Sequence, residues 1–237
     1  MAAQPFLKCV IYALALPHII ISRVAELLKL ESLEAERHRC LEIIDNHQFS
    51  IPIVFLDALI TAEDHRNPLH PGIDPIGMIR AVIVFLHKGQ IQGASTIEQQ
   101  FVRVATGKVE RTLLRKFREQ LLALSLSRRR SKAAIASAYL SVAFFGSKCI
   151  GINGINRTFG SDLAKVKPEQ ALAFVSQLKY PRPLAPSPAW QAKISRRVRA
   201  LTYPKLRAAN KRLKATPNRF SNSIADLSVG ATRFGRP

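Results

Sequence analysis

The chain is poor in cysteine, in acid and in long apolar runs. Its three cysteines, Cys9, Cys40 and Cys149, lie far apart and form no Cys-x-x-Cys pattern. That excludes a disulfide framework and a cysteine-built zinc site. Aspartate and glutamate number 16 against 36 lysines and arginines, a net charge of +20. Such an excess implies an anionic partner: nucleic acid, anionic lipid or a phosphorylated substrate. It is uneven, with ten basic and two acidic side chains in residues 103–132 and thirteen and one in residues 181–237. No segment repeats. No strong period-two alternation runs through the chain, so helices are the expected framework, with Ile51–Phe55 as a candidate extended segment.

The longest apolar stretch, Cys9–Ile21, is interrupted only by Pro17 and His18. It falls short of the ~20 residues that span a bilayer. Extension through Leu28 adds length but includes Arg23 and Glu26. No convincing signal cleavage site follows. The segment is expected to insert into or lie on a membrane surface. A true span and a helix packed on the domain are the alternatives. The expected organisation is a membrane-associating segment at 1–36, one domain at 37–203 and a basic, loosely ordered tail at 204–237.

Helical spacing recurs along the chain. Val24, Leu27, Leu28, Leu33, Leu41 and Ile44 share it between residues 24 and 45. Asp74–Lys88 reads as a helix with Asp74 as N-cap, Pro75 at the first position and Gly89 as the stop. Its buried side is predicted to carry Ile76, Ile79, Val82, Ile83 and Leu86. Between 109 and 127, Leu113, Leu114, Phe117, Leu121 and Leu124 fall on one stripe, with Arg111, Arg115 and Arg118 opposite. Lys132–Val142, Pro168–Leu178 and Trp190–Leu201 read as further helices. Gly146, Gly151, Gly154 and Gly160 punctuate a flexible segment, and the four prolines of Pro181–Pro188 mark a strap.

Residues able to do chemistry gather in three stretches. EDHRNPLHPGID, Glu63–Asp74, packs acids, histidines and an arginine before a turn. Glu63 sits where the apolar run Leu56–Ile60 meets that loop. Partial desolvation there raises a carboxyl pKa toward that of a general base. Taken alone, the stretch reads better as an acidic helix end with a histidine-containing loop. GASTIEQQ, Gly93–Gln100, fits a capping box with Ser95 as N-cap and Glu98 reaching back. The helix it starts points its first N–H groups where an anion would bind. Gln99 and Gln100 have no obvious core role. RKFRE, Arg115–Glu119, sets a lone carboxylate one turn from Arg115 on a basic strip. Without its neighbours that is a solvated face, whereas guanidinium groups also bind phosphate bidentately.

In this order the three stretches resemble the motifs of the peptidoglycan glycosyltransferases, the monofunctional transglycosylases and the glycosyltransferase domain of class A penicillin-binding proteins. That pattern is approximately EDxxFxxHxGxD, GGSTITQQ and RKxxE, then a YLN-containing helix and a glycine-bearing loop. The resemblance covers roughly Ile51 to Pro188. It implies a mainly α fold, a lysozyme-like helical core with a small mobile lobe flanking the cleft, and makes 37–203 the glycosyltransferase domain. It implies polymerisation of lipid II into glycan chains, with inversion and release of undecaprenyl pyrophosphate. By the motifs, Glu63 is the catalytic base. Glu119 is the second carboxylate, which positions the donor, orients cations or holds a divalent metal, Mg or Mn. No organic cofactor is implied. Asp64 and His70 hold the first motif's geometry. Ser95, Thr96, Gln99, Gln100, Arg103, Arg115 and Lys116 are substrate-binding, with Arg103, Arg115 and Lys116 on the leaving pyrophosphate. The implied partners are lipid II, the growing lipid-linked glycan, membrane lipids and cell-wall synthesis proteins, and no nucleic acid. The implied location is the bacterial inner (cytoplasmic) membrane, with the catalytic domain on the periplasmic or outer face.

Some positions depart from that pattern. Asn67, followed by Pro68, replaces an aromatic residue and reads as a rigid polar turn. Glu98 replaces Thr and puts a negative charge near a site expected to attract phosphate. Ser127 replaces Glu, Ser141 replaces Asn and Ala94 replaces Gly, while Arg103 keeps the charge of a lysine. Two other classes are compatible with the composition. One is an inactive membrane-bound cell-wall scaffold of the same fold. The other is a basic nucleic-acid binder using phosphate contacts alone, against which stand the lack of any recognised motif and an apolar N-terminus with no use there. A lysozyme-like hydrolase also uses two carboxylates but needs no arginine strip. The length is too short for an added β-lactam-sensitive transpeptidase domain.

Overall fold

The computed structural model describes residues 3–215, with side chains from Gln4 to Tyr203. It is mainly α. The helices are α1 (Ala3–Leu27), α2 (Glu31–His47), α3 (Ile53–Glu63), α4 (Pro75–Lys88), α5 (Ile97–Thr106), α6 (Leu113–Arg129), α7 (Lys132–Val142), α8 (Gly151–Phe159), α9 (Pro168–Val175) and α10 (Pro188–Ala215). A two-stranded antiparallel hairpin, β1 (Phe144–Gly146) and β2 (Cys149–Ile150), lies between α7 and α8. Ile51–Phe55 is not extended, because Pro52 caps α3 and the helix starts at Ile53. The chain divides into two compact units, residues 1–198 and 199–237. The candidate site lies in the first.

Side chains set the starts of four consecutive helices. Asp74, Thr96, Thr112 and Ser131 accept from the backbone N–H three residues on, at the heads of α4, α5, α6 and α7. Each satisfies a donor that the first turn leaves orphaned. Helices α2, α5, α6 and α7 pack together around the fully buried Ile44, Phe101, Leu124 and Ile135. Helix α3 packs on α9, where Phe55, Phe159 and Phe174 meet edge to face and Phe145 stacks obliquely on Phe174. The segment 146–160 is built rather than loose. Gly146 has φ +139° and a Cβ there would come within 2.3 Å of the Arg182 backbone. That close approach lets Arg182 N–H donate to the Phe145 carbonyl and Ser147 N–H to the Arg182 carbonyl, tying the proline strap to the hairpin.

Two predicted stripes are not buried. In α4 only Pro75 and Gly77 are buried, while Ile79, Val82, Ile83 and Leu86 face outward, Leu86 at 75%. In α6 Leu113 is 90% exposed, and continuous burial runs only from Glu119 to Leu126. Periodicity finds an apolar face but not what covers it.

Helix α1 also differs from the short apolar run read in the sequence. It has 25 residues, about 37 Å at 1.5 Å per residue, and Gln4–Leu27 is long and apolar enough to cross a membrane. Of the two charges that shortened the run, Arg23 is exposed and Glu26 is paired. Glu26 accepts from Arg128 and Arg129, and Ser22 donates to the Leu121 carbonyl. Ile11 and Ala15 are buried, Ala15 against Ile73 and Leu124, while Phe6, Leu16, Ile20 and Leu27 stay exposed. The tail expected from 204 onward is helical as far as Ala215, as part of α10. Residues 216–237 lie outside the described residues.

Candidate active site

Glu63 is the last residue of α3. Arg197 of α10 donates to its Oε1 at 2.7 Å and to the Ala62 carbonyl at 2.9 Å. Gln100 donates to its Oε2 at 3.3 Å, and Tyr139 holds Gln100 by donating to its side-chain oxygen at 2.9 Å. Burial pushes the Glu63 carboxyl above the ordinary glutamate range. The Arg197 charge, the Gln100 hydrogen bond and the Lys179 charge restrain that rise. A carboxylate so placed is a stronger proton acceptor than an ordinary glutamate. Arg197 is the functional residue that sequence reasoning missed. The basic run Arg196–Arg199 hinted at it, but nothing local tells which arginine turns inward.

Asp64 does structural work. His70 Nε2 lies 3.0 Å from its Oδ2, and Ile97 N–H and Asn67 Nδ2 each donate to that oxygen at 3.2 Å. Burial acts to raise the Asp64 pKa, but the His70 contact and these donors outweigh it and hold the group below the usual aspartate range. Asn67 opens a short 3₁₀ turn and is buried. Gly72 N–H donates to His70 Nδ1 at 3.2 Å, and Thr96 donates to the Gly72 carbonyl at 2.7 Å. The motif's Arg66 grips the cap residue Asp74 through two nitrogens at 2.8 and 2.5 Å.

The capping box expected from Ser95 and Glu98 does not form. Thr96 is the N-cap of α5, with Gln99 N–H donating to its Oγ1 at 3.3 Å. Ser95 instead accepts from Lys116 Nζ at 2.8 Å. Glu98 points inward, fully buried, and pairs with Lys132, so it adds no free negative charge beside the cations. Gln99 is buried and accepts from Lys116 at 3.1 Å.

Arg103, Arg115 and Lys116 converge on buried Glu119. Burial lowers the Lys116 pKa, opposed by the Glu119 charge. Arg103 and Gln100 are three apart on α5, hence neighbours on one face. One helix therefore touches both carboxylates, Glu63 through Gln100 and Glu119 through Arg103. Together this is a raised-pKa carboxylate beside a cluster of three cations. It can take a proton and stabilise a departing anion.

The residues present do not suit a divalent ion at Glu119, because Arg103 engages both carboxylate oxygens, Arg115 one and Lys116 the other. Asp64, His70 and Glu98 bring ligand-type atoms within 4.8 Å. The Lys132 ammonium already sits on Glu98 and 3.3 Å from His70, supplying the positive charge there. The chain's Ser-x-x-Lys spacing, Ser176 to Lys179, is chemically silent, since buried Ser176 donates to the Leu172 carbonyl.

Gly72 has φ +124°, and a Cβ would sit 2.6 Å from the Ala123 carbonyl oxygen. Gly72→Ala is expected to destabilise the protein by about 2–4 kcal/mol through strain and overpacking. Gly93→Ala, with nothing within 4 Å of its Cβ, is expected to change stability by less than about 0.5 kcal/mol. Denaturant midpoints of the two variants check this.

Comparison with known proteins places this geometry. A family model described as Transglycosylase matches residues 30–204. Penicillin-binding protein 1A of Haemophilus influenzae is 34% identical over 138 residues, 57% of this chain and 16% of that protein. Penicillin-binding protein 1B of Vibrio cholerae is 35% identical over 136 residues, 55% of this chain and 18% of that protein. Penicillin-binding protein 1A of Escherichia coli is 37% identical over 110 residues, 46% and 13%. The chain thus spans less than a fifth of the length of these relatives. With more than half of its residues under the family model, the chain belongs to the transglycosylase family.

Proposed function

We propose that the chain is a peptidoglycan glycosyltransferase that polymerises lipid II. The observation that carries this reading is the single turn of α5 that joins a raised-pKa carboxylate to a three-cation cluster. Glu63 takes the proton of the acceptor sugar's 4-hydroxyl. That oxygen bonds to the anomeric carbon of the growing chain from the opposite face. The bond from that carbon to undecaprenyl pyrophosphate breaks, and the leaving oxygen keeps the electron pair. Arg103, Arg115 and Lys116 neutralise the departing charge, while Glu119 keeps those three cations together. No step is routed through a metal. The uncovered apolar faces of α1 and α4 support attachment to the bacterial cytoplasmic membrane, where a lipid-linked substrate is met in place, with the site on its outer side.

Glu63→Gln keeps shape but accepts no proton at neutral pH. It is expected to fold and bind lipid II as the parent does, while polymer yield falls at least ~10²-fold. Chain length on a gel, beside a thermal melt, decides. Undiminished polymer from the variant overturns the assignment, and absence of polymer from the parent points to the scaffold reading.

The pH dependence has a defined sign. Ionised Glu63 is the active form, so activity falls as pH drops through a pKa above the ordinary 4.5. The Arg197 charge lowers that pKa, so Arg197→Met should move the acid limb of kcat/KM to higher pH. An unmoved limb shows that Glu63 is not the titrating group. In stability the sign is opposite: the raised pKa favours the folded state most at low pH, and that contribution is lost as pH rises through it.

Arg115→Ala should weaken binding of lipid II about tenfold or more, the worth of a charge-assisted hydrogen bond. Arg129→Ala, which disturbs only the contact with Glu26 and Ser125, should change it less than about twofold. Equal small effects would mean diffuse electrostatics and no pyrophosphate site.

A further inference from the structure

Two of the positions at which this chain departs from the family pattern, Asn67 and Glu98, touch each other although 31 residues apart. Asn67 Nδ2 lies 3.3 Å from Glu98 Oε1 and 3.2 Å from Asp64 Oδ2. One amide thus bridges two buried carboxylates. Such a pair of like charges is costly unless compensated. Lys132 supplies the compensation, with its ammonium on the same Glu98 oxygen and 3.3 Å from His70 Nδ1. Among the described residues the other, buried Glu98 oxygen has no partner, so there Oε1 alone anchors the side chain.

We propose that Asn67, Glu98 and Lys132 form one co-dependent unit that locks Asp64, and through it Glu63, onto the first turn of α5. The inference rests on the glycosyltransferase reading for its effect on turnover, but not for the lock itself. Asp64 follows Glu63 directly and accepts from Ile97 N–H, while Glu98 is the next residue of α5. The α3 end therefore meets α5 at two adjacent points, Asp64 at Ile97 and Asn67 at Glu98. The same helix carries Gln100 to Glu63 and Arg103 to Glu119, so a tilt at its start displaces both. An aromatic ring at 67 donates no hydrogen bond and leaves Glu98 with Lys132 alone. Threonine at 98 leaves Lys132 without its acid and Asn67 with a single carboxylate. Either family residue introduced alone breaks the unit, whereas both together remove the buried acid and its bridge in one step, and Lys132, its side chain 29% exposed, turns to solvent. These three are positioning residues.

The test is a double-mutant cycle of Asn67→Phe and Glu98→Thr in the full chain, with two readouts. Amide exchange at Ile97, followed by mass spectrometry of peptides covering residues 95–102, should speed up about tenfold or more in each single variant. It should return to within about threefold of the parent in the double variant. In lipid II polymerisation each single variant should lose about tenfold in kcat with KM changed less than about threefold, and the double should recover most of the loss. Glu98→Gln keeps the acceptor oxygen and should retain more kcat than Glu98→Thr. Additive effects on exchange overturn the lock. Coupled exchange with kcat unchanged overturns the positioning role. If the parent makes no polymer, the proposed function fails, while the exchange cycle still decides whether the lock exists.

Discussion

The joint between the end of α3 and the start of α5 carries the rest of the site. Its central bond joins residues 33 positions apart: Ile97 N–H donates to the carboxylate of Asp64. A helix's first N–H groups lack partners within the helix, and a carboxylate there gains from the helix dipole as well as from the hydrogen bond. Asp64 is thereby held down, and its neighbour Glu63 is presented at a fixed angle. His70, Asn67, Thr96 and Gly72 surround the same point. From that joint α5 runs outward with Gln100, which sits on Glu63, and Arg103, which sits on Glu119. The two carboxylates are therefore rigidly related through one helix.

In a chain of net charge +20 the few acids act as organisers. Glu119 gathers Arg103, Arg115 and Lys116, Glu98 holds Lys132, Glu63 holds Arg197 and Glu26 holds Arg128 and Arg129. Cations collected this way are pre-arranged, so an arriving anion finds them in place and little reorganisation is needed. The opposite balance holds at Glu63, where burial raises the proton affinity and Arg197 restrains it. The arginine thus acts as a regulator of basicity as well as an anchor for α10.

The apolar surfaces follow a different logic. Helix α1 packs on α6 and on α4 and leaves its remaining face bare, and α4 is bare along most of its length. Both read in the sequence as ordinary amphipathic or apolar helices, and both would be buried in a water-soluble bundle. Their exposure leaves apolar surface on the same unit as the cation cluster around Glu119.

The sequence by itself determined the helical framework, the cap at Asp74, the stop at Gly89 and the three motif stretches, because these depend on contacts within a few residues. Glu63, Asp64, His70, Ser95, Thr96, Gln99, Gln100, Arg103, Arg115, Lys116 and Glu119 became candidates through the resemblance of those stretches to a family's motifs. Only the tertiary structure decided which residue caps α5. Ser95 and Thr96 are both competent, and the Gly72 carbonyl reached by Thr96 settles it. It also decided that Asn67 and Glu98 belong together and that Arg197 completes Glu63. Those contacts join residues 31 and 134 positions apart, beyond the reach of any local pattern. Most of all it decided which apolar faces are covered, since periodicity records where a helix is greasy and only packing shows against what.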